Sequence, residues 1–194
     1  MSMEIQDFAG RGVVRKSREE AAQTRKRIIA VAAGEFRKNG IVATGLNDLM
    51  RAAGLTHGGF YKHFESKDQF VAEACAAALE ALTERVTAAG SGAATSYLTT
   101  RHRDNPGDGC LLAAIGSELG RCDETTRAVA SDGLLKLDEI MAGQFGKSPP
   151  AAARRRALVA VSTTIGVLTL SRLVTAPELS AEILKEAEKS SIKA

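Results

Sequence analysis

Asn47, Thr56, His57, Gly58, Tyr61 and Lys62 fall within a single short stretch of a 194-residue chain. They carry hydrogen-bonding groups, or in the case of Gly58 no side chain at all. Such residues reach base edges and phosphate oxygens. Other chemistry is poorly provided for. His57, His63 and His102 lack metal-ligand spacing, and the chain contains no nucleophile elbow, phosphate-binding loop or paired-carboxylate arrangement. The sequence therefore predicts no catalytic residue, no metal site, no cofactor and no enzyme. Cys75, Cys110 and Cys122 form neither a CxxC pair nor an even disulfide framework, and no signal peptide opens the chain, which predicts a reducing, cytoplasmic setting. Cys110 follows Gly109 at the predicted start of a helix, where a thiol reacts more readily. Cys122 lies at a predicted helix end. Two readings stay open for them: a sensor of oxidants or electrophiles, or small buried apolar side chains.

The elements that position these residues are helices. The chain is 44% apolar and 25% charged, with 4% aromatics and no Trp. That fills a core and excludes a disordered tail. Its abundant Ala, Leu, Arg and Glu favour helix over sheet. Residues 1–16 read as a loose basic arm. Ser17 and Glu20 form a capping-box pair opening a helix with Ile28, Val31, Ala32, Glu35 and Phe36 on one stripe, closed by Asn39-Gly40. A short helix is expected over 45–53 and another from Thr56 to His63. Ser66 and Gln69 cap a long helix ending at Ala89. Further helices are expected over 93–103, 110–121 and 124–145, the last with Leu134, Leu137, Met141 and Phe145 inward. Ser148 is placed to cap the next helix. Residues 157–171 carry no charge; they are too few and too rich in Ser and Thr for a membrane span, so they must be covered within a bundle and by a second subunit. Pro177 opens the last helix. No strand pattern appears.

The two short helices around Gly54 make a helix-turn-helix unit, whose second helix enters the major groove. Leu46, Leu49, Met50, Leu55, Phe60 and Phe64 pack it onto the first helix. Gly58 and Gly59 cost roughly 1 kcal/mol each against Ala inside a helix. Two explanations are open: close approach to DNA, or a crowded contact within the domain.

The run Ala52-Ala-Gly-Leu-Thr-His-Gly-Gly-Phe-Tyr-Lys-His-Phe64, with Lys67 beyond it and Phe36 and Gly40 before it, resembles the TetR family of transcriptional regulators. The likeness is close over residues 17–70, with one departure: Leu49-Met50 stands where Ile-Ala is common. It implies an all-α protein with a three-helix DNA-binding domain over 17–64 and a ligand-binding and dimerisation domain over 65–194. The resemblance places Thr44 and Asn47 at the groove or backbone and Thr56, His57, Gly58 and Gly59 on the reading edge. Tyr61 and Lys67 become phosphate clamps, Lys62 reaches a base or phosphate, and His63 orients the helix or touches DNA. Arg25 and Lys26 add phosphate contacts. A homodimer on near-palindromic operator DNA, released by an unidentified small-molecule effector acting through the Ser66–Ala89 helix, is what such proteins imply. Val161, Ile165, Leu168 and Arg172 are the dimer-interface candidates on the uncharged helix. Tyr97, His102, Cys110, Leu112, Met141 and Phe145 are the pocket-lining types of the middle region, with core packing as the alternative for each.

Charge agrees with this division. Residues 1–64 hold 11 Lys/Arg against 6 Asp/Glu, while residues 65–194 hold 15 against 17. A basic head suits a polyanion, and a solvated face would look the same. A helical protein-interaction module is the competing class, though it leaves the outward Asn47, His57, Tyr61 and Lys62 unexplained.

Overall fold

A computed structural model describes residues 7–146 and 148–192; side chains are described except at 7–17, 91, 94, 95, 191 and 192. Among the described residues every regular element is helical. The expected bounds hold to within a few residues for most elements: α2 (Leu46–Ala52), α3 (Lys67–Ala89), α6 (Leu111–Leu119), α7 (Glu124–Gly143), α8 (Pro150–Leu173) and α9 (Pro177–Ile192).

Three elements differ. α1 runs over Asp7–Asn39, so the helix is already under way at Ser17. A capping box is one way to satisfy the first amides of a helix; with no Pro upstream, continuing the i→i−4 ladder satisfies them equally. The expected loose arm is therefore helical from Asp7, and residues 1–6 lie outside the described set. The second half of the helix-turn-helix is a 3-10 helix, His57–Lys62, rather than an α-helix. The segment expected over 93–103 is broken into α4 (Ala93–Tyr97) and α5 (Thr100–Asp104), because Thr99 leaves helical geometry and its hydroxyl accepts from the His102 amide (3.1 Å).

Capping follows sequence elsewhere. Ser66 Oγ accepts from the Gln69 amide (3.1 Å). Asp123 accepts from the Thr126 amide (3.0 Å) and hydroxyl (2.6 Å), opening α7. The helix after the Gly146 break is flanked by Pro149, not by a Ser148 cap. Gly54, at φ +72°, lets the chain turn so that the Leu55 amide reaches the Met50 carbonyl (2.8 Å). That is the turn joining the two short helices.

One apolar core joins the head to the body. It runs from Ile28, Ala32 and Phe36 on α1 through Leu49, Met50, Phe60 and Phe64 to Phe70, Ala74, Cys75 and Leu79 on α3, and on to Leu111, Ile115 and Leu119 on α6. A second core gathers Leu82, Leu98, Cys110, Ala113, Leu137, Leu168 and Leu184. α7 lies tight against α3: at Gly133 a Cβ would fall 2.7 Å from a Leu79 methyl. On α7 the buried face is Gly133, Leu137 and Asp138, whereas Leu134 is turned outward.

Polar ties fasten the same junction. Glu118 Oε2 accepts from the amides of Ile41 (2.8 Å) and Val42 (3.2 Å), just past the end of α1. Arg37 Nε donates to the Gly107 carbonyl (2.6 Å). The exit of α1 is thus held by both flanks of the α5–α6 segment.

Candidate nucleic-acid interface

Phe60 anchors the 3-10 helix. It is fully buried, with ring centroids 5.2 Å from Phe64 and 5.3 Å from Phe70. Six residues with two glycines cannot hold a helix alone; the aromatic cluster fixes this one from beneath. With Phe60 inward, Thr56, His57, Gly58, Tyr61 and Lys62 are all exposed, Tyr61 at 68%. The His57 and Tyr61 rings meet edge to face at 6.4 Å. Asn47 on α2, Lys67 in the first turn of α3 and Lys26 on α1 are exposed as well. Thr56 precedes the helix, and its side chain makes no cap bond. Among the described residues, a Cβ on Gly58 would meet nothing within 4 Å, and one on Gly59 would touch only Met50 Cε at 3.7 Å. Crowding within the chain does not explain either glycine.

Two expected contacts fall elsewhere. Thr44 is buried, and its hydroxyl donates to the Gly40 carbonyl (2.5 Å), closing the turn after α1 instead of facing outward. Arg25 is engaged inside the head: it pairs with Glu73, donates to the His63 carbonyl (3.1 Å) and lies over the Phe64 ring at 4.7 Å. A guanidinium with three partners staples α1 to α3 and to the end of the 3-10 helix. His63 is half-buried, which suits orienting that end. Spacing along α1 could not reveal this, because the partners are 38 and 48 residues away.

A small, half-open cavity lies between α3, α4, α7 and α8. Tyr97, Cys110 and Met141 line it, as expected, together with the unforeseen Leu82, Val86, Leu137, Thr164 and Ile165. His102 faces an adjoining polar groove with Arg85, Arg101, Asn105 and Asp108. Leu112 packs between the two cores, and Phe145 lies under the Arg156 guanidinium (4.2 Å); neither lines the cavity. His102 Nε2 accepts from the Cys110 amide (3.0 Å), so the ring proton sits on Nδ1, which donates to the Tyr97 carbonyl (2.8 Å). Burial, opposed by the Tyr97 carbonyl bond and aided by Arg172 and Arg85, keeps His102 below its ordinary pKa and hence neutral.

Cys110 is buried. Burial, then Asp123, Glu118 and Asp68, push the Cys122 thiol up. Burial pushes Cys75 to about 12. Neither of these two is set up as a thiolate.

The α8 candidates divide by face. Leu168 is buried in the chain's own core, Val161 and Ile165 line the cavity, and Arg172 donates to the carbonyls of Arg103 (3.0 Å) and His102 (2.7 Å). These four look inward. The outward stripe is Val159, Thr163, Gly166, Leu170 and Leu173, with Val159 63%, Leu170 52% and Leu173 72% exposed. By length and composition alone α8 would also reach across a bilayer. Its Arg154-Arg155-Arg156 start and its packed inner face belong to a bundle helix.

Residues 28–74 match the model of bacterial regulatory proteins, tetR family. The transcriptional regulator TtgR of Pseudomonas putida is 42% identical over 59 residues, 30% of this chain and 28% of that protein. AcrR of Shigella flexneri is 38% identical over 61 residues, again 28% of its length. The matched stretch thus spans just over a quarter of these relatives. Two solved structures share the fold over most of the chain. Reduced NemR of E. coli has a TM-score of 0.73 at 19% identity, covering 87% of this chain and 95% of its own. A TetR transcriptional regulator from Chloroflexus aurantiacus J-10-FL has a TM-score of 0.74 at 24% identity, covering 89% and 94%.

Proposed function

We propose that this chain, which belongs to the TetR family by its N-terminal segment, is a cytoplasmic DNA-binding transcriptional regulator that represses from a near-palindromic operator and is released by a small molecule. The observation that carries the reading is the outward face of the head. Asn47, Thr56, His57, Gly58, Tyr61, Lys62 and Lys67 stand free of the core while every large apolar residue beneath them is packed. A 3-10 helix with an unshielded backbone at Gly58 is thin enough to press into a major groove. Lys67 and Tyr61 flank it as phosphate contacts, and Lys26 offers another from α1. Arg25 and Thr44 are left out of the interface, since their polar groups are already used. The division into a DNA-binding head over 17–64 and an effector and dimerisation region over 65–194 belongs to the same proposal. A homodimer set by α8 would present two heads to half-sites about 34–36 Å apart.

Effector coupling has two physical routes to the head: α3, which carries both cores, and α6, whose start at Cys110 lines the cavity while Glu118 near its end holds the Ile41 and Val42 amides. For release, the effector must bind the DNA-incompetent arrangement better than the competent one.

Salt and substitution test the DNA reading. Binding to a selected operator is expected to fall log-linearly with salt. Lys67→Ala should weaken all sequences alike and reduce the slope by about 1, whereas Asn47→Ala and His57→Ala should change sequence preference. A salt-insensitive interaction would instead favour the protein-interaction module. Gly58→Ala is a sharper probe. A methyl there meets no atom of the described residues within 4 Å, so stability should hold or rise by up to about 1 kcal/mol. Operator affinity should nevertheless drop; unchanged affinity in a gel-shift titration would refute close backbone approach.

A further inference from the structure

A short chain of hydrogen bonds runs from α8 through α6 to the head, and one residue interrupts it. The Thr169 hydroxyl of α8 donates to the Ala113 carbonyl of α6 (3.1 Å), as well as to Ile165 on its own helix (3.0 Å). Two residues on, Ile115 leaves helical geometry (φ −135°, ψ 21°), so α6 consists of two pieces, 111–114 and 116–119. The break has room around it: a Cβ on Gly116 would meet no described atom within 4 Å. The second piece carries Glu118. Both hydrogen-bond partners of its carboxylate among the described residues are head amides, Ile41 (2.8 Å) and Val42 (3.2 Å). Gly40, at φ +84°, leaves space for this contact, since a Cβ there would collide with Glu118 Oε1. The apolar core shared by head and body opposes separation but has no direction of its own. Bonds from a carboxylate to two successive amides are charge-assisted and directional. Arg37, bound to the Gly107 carbonyl, ties the same end of α1 to the segment ahead of α6. One tie leaves a pivot, and the second sets the angle.

We infer that Glu118 is a specificity-determining residue for the operator: it sets the angle of each head against α8, and with it the half-site spacing that a dimer accepts. The inference rests on the proposed reading of the chain as a dimeric DNA-binding regulator. Moving one half-site by a base pair shifts it by about 3.4 Å and turns it by about 35° around the duplex. A head held by Glu118 resists that change. A head released from Glu118 swings about its Arg37 tie and follows it.

The full chain is titrated by fluorescence anisotropy against its selected operator and against duplexes with one base pair added or removed between the half-sites. The parent is expected to favour the original spacing by about tenfold or more, because a misplaced half-site forfeits part of the gain from two linked heads. Glu118→Ala should shrink that preference by about tenfold, the value of one charge-assisted hydrogen bond. Glu118→Gln keeps an acceptor for one amide and should retain more of it. Thr169→Val removes the α8 end of the chain at constant shape. It should also shrink the preference, and the Glu118→Ala, Thr169→Val double variant should lose no more than the larger single loss. An unchanged preference in Glu118→Ala, an equal loss at all three spacings, or additive losses in the double variant would overturn the inference. Amide exchange at Ile41 and Val42, followed by NMR without DNA, reads the tie directly: slow in the parent and faster in Glu118→Ala. Equal exchange in the two proteins would overturn it as well. A parent that binds none of the duplexes while these amides stay protected would instead overturn the regulator reading, with the tie itself upheld.

Discussion

The double substitution Val159→Glu and Leu170→Glu is expected to turn the protein into monomers and to lower operator affinity by about 10²–10⁴-fold, the contribution of tethering two heads. Val159, Thr163, Gly166, Leu170 and Leu173 follow a 4-3-4-3 spacing, which lays them along one line of α8. Among the described residues nothing packs over their midpoint: a Cβ on Gly166 would meet no described atom within 4 Å. An exposed apolar line with an open glycine at its centre invites a second copy of the same helix, whose backbone approaches closest at that glycine. Two carboxylates introduced there would face their symmetry mates, unpaired and desolvated. Both sites are solvent-exposed within one chain, so the melting curve of the monomer should stay cooperative. Light scattering after size exclusion reads the assembly state. A dimer that survives both substitutions would mean that α8 does not form the interface.

Phe60→Ala should cost about 3–5 kcal/mol, the range for emptying a buried aromatic site. Against a total of about 5–15 kcal/mol this is a large fraction of the fold's stability. Phe60 is where the 3-10 helix meets the rest of the head, touching Phe64 and Phe70, while Phe70 in turn meets Phe36 at 6.1 Å. Without that ring the exposed side chains above it lose their footing. Operator binding should therefore vanish together with the loss in urea midpoint. A loss under about 1 kcal/mol would show that the head collapses onto the cavity and that the aromatic cluster is not its keystone.

Much of the head was legible because its signals are local. The Gly54 turn, the Ser66 cap and the six apolar residues that pack α2 and the 3-10 helix are all read within a few positions of one another. The exposed set that remains, from Asn47 to Lys67, follows by subtraction. Where a partner is distant in sequence, the same reading fails. Arg25 looked like a free cation beside Lys26, but Glu73 and the His63 carbonyl claim it. Thr44 is polar and adjacent to the motif, yet its hydroxyl serves Gly40. Glu118 carries no motif at all, and only its place across from Ile41 and Val42 shows that it ties body to head.

The amino-acid order alone determined an all-helical chain, a helix-turn-helix near the start and an uncharged penultimate helix. It did so because capping, turn geometry and apolar period act over a few residues. It could not choose which side of that helix faces out. Val161, Ile165, Leu168 and Arg172 keep the same 4-3-4 spacing as Val159, Thr163, Gly166 and Leu170, two residues on and therefore nearly opposite on the helix. With both faces free of charge over 157–171, pattern cannot separate them. Only the packing of α7 and α9 against α8 did, by burying one stripe in the chain's own core and cavity and leaving the other to water.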